Sequence, residues 1–132
     1  MSKADISSRA DVLYLIERFY TKAKADELIG SFFTEVVQLD WDHHIPVITD
    51  FWTSILLGTV RYEGNPISPH ISLHKKKTLT ALHFERWLDL WEANLKEHFA
   101  GPIAEEALRR AKMMAPMIVY KIEQSESPGF IQ

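Results

Sequence analysis

The sequence predicts an all-α fold, and two observations carry that expectation. Glycine and proline gather at a few points (Gly30, Gly58, Gly64, Pro66 and Pro69, Gly101-Pro102, Pro128-Gly129) and leave long clean stretches between them. Within those stretches apolar residues recur at steps of three and four, the spacing of one helix face.

Ser7 or Ser8 can cap a first helix running to about Lys24, with Val12, Leu13, Leu15, Ile16, Phe19 and Tyr20 on its apolar face. Gly30 closes that region, and Ser31-Phe32-Phe33 forms a short apolar link. A second helix is expected from near Asp42 to Leu57, with Pro46 in its first turn, where a missing N–H costs least. His44, Ile48, Phe51, Trp52 and Ile55 share one stripe on it. Residues 58–78 are irregular apart from a short helix at 69–76. A long helix follows over Leu79 to His98, its core face carrying Phe84, Trp87, Leu88, Trp91 and Leu95. Gly101-Pro102 breaks the chain, and Pro102 opens a last helix over 103–124 that Pro116 should kink. Segments of about 1–6 and 125–132 read as flexible tails on a single domain spanning 1–132.

Composition narrows the function. At 132 residues the chain suits one domain that buries about two-thirds of its unfolded surface. Fifteen Lys and Arg against 18 Asp and Glu give a net charge of −3, which offers no basic footprint for nucleic acid. The absence of cysteine removes disulfides, thiolate zinc sites, iron–sulfur clusters, covalently attached c-type haem and a catalytic thiol. No apolar run reaches the ~18 residues of a membrane helix, and Met1–Asp5 has no hydrophobic signal region, so a soluble, cytoplasmic protein is expected. There is no phosphate-binding glycine loop, no G-x-S-x-G, no H-E-x-x-H and no Glu-x-x-His pair for a di-iron bundle.

Six histidines and an excess of large aromatics on helical faces remain. Tyr20 should point inward, where its hydroxyl needs a partner, and Trp87 brings an indole N–H that wants an acceptor. His44 lies on an apolar stripe, whereas His70 follows Pro69 between two proline turns. Singly, each has an ordinary reading as core or surface. Together with Phe32-Phe33 they are the parts of a pocket for a large flat apolar cofactor with an axial ligand and a polar distal side. Two other readings stay open: a cofactor-free helical interaction module, and a metal site shared by His70 and His74, four residues apart on one helix face.

The chain resembles the truncated (two-over-two) haemoglobins, group III. The residues that carry the resemblance are Phe19-Tyr20, Phe32-Phe33, Trp41-x-x-His44, Phe51-Trp52, Leu56-Leu57-Gly58, Pro66-x-x-x-His70-x-x-Leu73 and His83-Phe84-Glu85-Arg86-Trp87-Leu88-x-Leu90-Trp91. The resemblance implies a globin-like two-over-two helical sandwich binding haem b non-covalently, with His70 as the iron ligand. It implies Tyr20 and Trp87 as distal hydrogen-bond donors, His44 as a distal gate residue, and Phe33 packed on the haem. Phe32, Ile48, Phe51 and Trp52 complete the expected cofactor contacts. The implied partners are dioxygen and other diatomic ligands, with an unnamed reductant if nitric oxide or peroxide is consumed by haem-based oxidoreductase chemistry. The Lys75–Lys77 run is a candidate contact for the haem propionates.

Overall fold

The computed structural model describes residues 3–36, 40–59, 62, 64 and 67–126. The described elements are α1 (Arg9–Ala25), a π-helical turn (Phe32–Val36), α2 (Trp41–Leu56), α3 (Ile67–Lys76), α4 (Ala81–His98) and α5 (Pro102–Ser125). The expected helices are all present.

Their ends follow from local chemistry. Ser8 caps α1, its hydroxyl accepting from the Asp11 amide at 3.2 Å. Past the other end of α1, the Asp26 carboxylate accepts from the Leu28 and Ile29 amides and turns the chain. Helix α2 starts at Trp41, one residue before the expected position, so Pro46 falls in the second turn rather than the first. The Asp42 carbonyl therefore has no amide four residues on to bond. Pro116 lies within α5, which is helical on both sides of it.

The start of α5 is held by a residue 98 positions away. Asp5 accepts from the Ile103 and Ala104 amides at 3.0 and 2.9 Å, satisfying two of the orphan donors of the helix N-terminus. Gly101 makes that approach feasible: its φ is 141°, and a Cβ there would sit 2.5 Å from Asp5 Cγ. Lys3 reaches the Lys96 carbonyl, and Ile6 is buried. Where the sequence suggests a loose segment over 1–6, residues 3–6 are thus docked. Ser125 still belongs to α5, and residues 127–132 of the second expected tail lie outside the described residues.

Helix α1 packs on α2 and α4 on α5, while α1–α4 and α2–α5 contacts join the two pairs. This is the two-over-two sandwich. A file of small residues on α5 (Ala104, Ala107, Ala111, Ala115) lets the neighbouring helices come close. Phe19, Trp91 and Leu95 fill the space between α1 and α4, and Asn94 ties the two by donating to the Leu15 carbonyl at 2.9 Å. A smaller cluster of Ile71, Phe84, Ile118 and Ile122 seats α3 against α5. Among the described residues no helix is long and apolar enough to cross a membrane.

Candidate functional site

Tyr20 and His44 meet where α1 faces the first turns of α2. The Tyr20 hydroxyl lies 3.1 Å from His44 Nε2, and the pair is enclosed by Phe33 and Trp41, whose rings sit 5.5 and 5.1 Å from that of Tyr20. Burial pushes the Tyr20 phenol well above its ordinary range, so it stays a protonated donor. Burial also lowers the His44 pKa, with the nearby His43 and His70 adding in the same direction. His44 is therefore a neutral imidazole at pH 7. Trp41, to which the sequence reading gave no role, is wedged 5.6 Å from His44 beneath the Lys24 ammonium. The Trp41-x-x-His44 spacing was the signal for that contact, because residues three apart are neighbours on a helix.

Helix α2 is two-sided. It buries Thr49, Trp52, Thr53 and Leu56 against the core, and the two threonine hydroxyls satisfy themselves on carbonyls four residues back, both at 2.7 Å. Ile45, Ile48, Phe51 and Ile55 are left only half-buried. A helix that turns small polar side chains inward and leaves branched and aromatic ones partly bare has apolar surface to offer a ligand.

His70 stands on α3, its ring 5.9 Å from Phe84. It is half-buried, and its charge is felt at His44. The two imidazoles thus come from separate helices into one electrostatic neighbourhood. Trp87, on α4, is half-buried, with its face stacked on Trp91 and its indole against Phe19.

The other expected site residues divide. Phe33, Ile48 and Phe51 join the half-buried surface. Phe32 and Trp52 do not: they are 2% and 3% exposed, covered by protein alone. Phe32 is sandwiched between the His83 ring at 5.1 Å and the Lys77 ammonium at 4.7 Å. Lys77 also donates to Ser31 Oγ, so its charge is used in holding α3 to the π-helical turn.

His74 is not free to share a metal with His70. Its Nδ1 accepts from the Leu79 amide at 2.9 Å, which leaves the proton on Nε2, and Nε2 donates to Glu126 at 2.5 Å. No group of three or more His, Asp or Glu among the described residues is placed to hold a metal ion. The donors present fit a flat apolar cofactor with one imidazole ligand: a half-bare apolar helix face, histidines on two separate helices, and a phenol and an indole as hydrogen-bond donors.

Comparison with known proteins points the same way. No protein-family model matches the chain. The group 3 truncated hemoglobin ctb of Campylobacter jejuni is 29% identical over 116 residues, spanning 86% of this chain and 89% of the relative. The crystal structure of a group III truncated hemoglobin from Campylobacter jejuni superposes with a TM-score of 0.77 at 28% identity, covering 91% of this chain and 94% of the other.

Proposed function

We propose that this chain, a relative of the group III truncated haemoglobins in sequence and in two-over-two fold, holds haem b through the His70 imidazole and binds dioxygen and other diatomic ligands at its iron. The observation that carries this reading is the joint placement of His70, the Tyr20–His44 pair and the half-buried apolar face of α2. Haem supplies an iron with one open coordination position and a one-electron redox couple; everything else falls to the chain.

His70 offers one ring nitrogen to the metal. Ile48, Phe51 and Phe33 give the porphyrin an apolar bed and exclude water from it. Tyr20 and His44 share one hydrogen bond between Oη and Nε2, and its direction decides whether the Tyr20 hydroxyl can donate to a ligand. When His44 Nε2–H donates to the phenol oxygen, the Tyr20 hydroxyl is released to donate elsewhere. When the hydroxyl donates to Nε2, it is occupied. Trp87 adds an indole N–H that cannot reverse. Such a donor set holds a polar diatomic ligand tightly and slows its release. That suits oxidation of nitric oxide or reduction of peroxide, with electrons from an external reductant, better than oxygen transport.

The test is the absorption spectrum of the protein as purified, then reduced, then under carbon monoxide. An intense Soret band that moves at each step and is lost in His70→Ala supports the reading. A featureless visible spectrum that added haem does not change overturns it.

A further inference from the structure

We propose that Trp87, Trp91 and Trp52 form a one-electron relay that draws an oxidising equivalent out of the cofactor pocket when a peroxide is cleaved there; the inference rests on the haem reading above. Three of the four tryptophans stand in one pile. The Trp87 and Trp91 rings are 5.4 Å apart and 9° from parallel, and Trp91 and Trp52 are 4.7 Å apart at 27°. Among the ring contacts of the described residues only these two are stacked; the others are edge-on or tilted. Phe19, by contrast, meets both Trp87 and Trp91 edge-on.

The pile runs from a partly exposed end into the core. Trp87, half-buried, begins it, and Phe19 bridges it to Tyr20, the Phe19 ring lying 5.4 Å from each. Trp91 and Trp52 are 1% and 3% exposed and carry it through the core.

The chemistry of the central ring suits transit rather than trapping. Indole is among the most readily oxidised side chains, and a cation radical on one ring is stabilised by parallel neighbours over which it spreads. The Trp91 N–H donates to the Ala107 carbonyl at 3.2 Å. An amide oxygen is too weak a base to take that proton, so the hole keeps its charge and moves on.

The electrons balance. Hydrogen peroxide takes up two electrons as its O–O bond breaks, and one oxygen leaves at once as water. One electron comes from the haem and one from Trp87, whose hole passes to Trp91 and Trp52. A one-electron donor of the ascorbate class refills the relay and then the haem, while two solvent protons complete the second water. The relay thereby spares the porphyrin an equivalent that would otherwise bleach it.

The experiment uses the haem-loaded ferric full chain with equimolar hydrogen peroxide. It reads the protein radical by freeze-quench electron paramagnetic resonance, oxidised side chains by peptide mass spectrometry, and porphyrin loss by Soret decay. Trp91→Phe and Trp52→Phe keep an aromatic ring in place; Tyr120→Phe, on the exposed outer face of α5, is the control. Both tryptophan variants should lower the radical yield several-fold and speed Soret decay several-fold; even without haem, Trp91→Phe, which breaks both stacks, should abolish the near-ultraviolet exciton signal, and Trp52→Phe, which breaks one, should reduce it. Tyr120→Phe should change none of these. If a variant fails to take up haem, the other decides. A wild-type chain that loads haem but oxidises at Tyr14, Tyr120 or the exposed methionines, with the pile untouched, overturns the relay alone. A chain that takes up no haem overturns the haem reading and the relay with it.

Discussion

The Tyr20 hydroxyl and His44 Nε2 lie 3.1 Å apart inside a cage of Phe33 and Trp41, so among the described residues the phenol has one hydrogen-bonding partner and is otherwise held in place by rings. On the haem reading, a diatomic ligand would compete with His44 for that hydroxyl. Tyr20→Phe keeps the ring packing and removes the donor. Dioxygen dissociation measured by stopped flow should quicken by about tenfold, the worth of one net hydrogen bond of ~1.4 kcal/mol. An unchanged rate would mean that the hydroxyl never leaves His44.

The same pair makes stability depend on pH. Burial lowers the His44 pKa in the folded chain, reinforced by His43 and His70, and burial next to Lys77 lowers that of His83. A depressed histidine binds fewer protons folded than unfolded, so its contribution is complete above the unfolded value of about 6.5. It is lost as pH falls through the folded value. Urea unfolding between pH 7.5 and 5 should therefore show stability falling toward acid. His44→Gln should flatten part of that slope and leave the share owed to His83.

Much of the architecture was legible in the sequence, because helix faces, Ser8 and the Gly101-Pro102 break act locally. The site was legible less evenly. Periodicity put His44, Ile48, Phe51, Trp52 and Ile55 on one stripe of α2, and they do neighbour one another. The structure nevertheless divides them, with Trp52 in the core beside Thr49 and Thr53 and the others half-bare. Spacing tells which residues share a face; it cannot tell what covers that face. The engagement of His74 by Leu79 and Glu126, and the reach of Asp5 to α5, depend on where distant segments meet. No local pattern encodes either.

Arg86, inside the long motif of α4, bonds a residue of another element. Its guanidinium donates to Asp26 Oδ1 at 2.8 Å, while the Leu28 and Ile29 amides donate to Oδ2 at 3.1 Å. Burial raises the Asp26 pKa, but Arg86 and the two amides outweigh it and hold the carboxyl below its usual value. A depressed carboxylate stabilises the fold above its unfolded pKa, and the contribution is lost as pH falls through the lower folded value. Asp26→Asn should cost about 1–2 kcal/mol at pH 7, because a charged acceptor of several bonds is replaced by a neutral one. Chemical denaturation at pH 7 should show that loss, narrowing near pH 3. Arg86→Ala should cost less, since the arginine side chain is 44% exposed and solvent screens the pair.

Gly101 and Asp5 make the sharpest test of how the chain is closed. The carboxylate caps α5 from the far end of the sequence, and the φ of 141° at Gly101 lets the backbone come against it. Gly101→Ala meets two obstacles together, a backbone conformation open essentially to glycine alone and a Cβ 2.5 Å from Asp5 Cγ. It should destabilise the protein by about 2–3 kcal/mol, lowering Tm by roughly 3–4 °C per kcal/mol. Asp5→Ala removes the cap without the strain and should cost about 1 kcal/mol. In the double variant the clashes with Asp5 Cγ and Oδ2 go but the Cβ at position 5, 2.7 Å from the new one, stays, so calorimetry should find the combined loss only modestly smaller than the sum of the two. Strict additivity would mean that Asp5 moves aside freely and that the backbone angle alone sets the cost at Gly101.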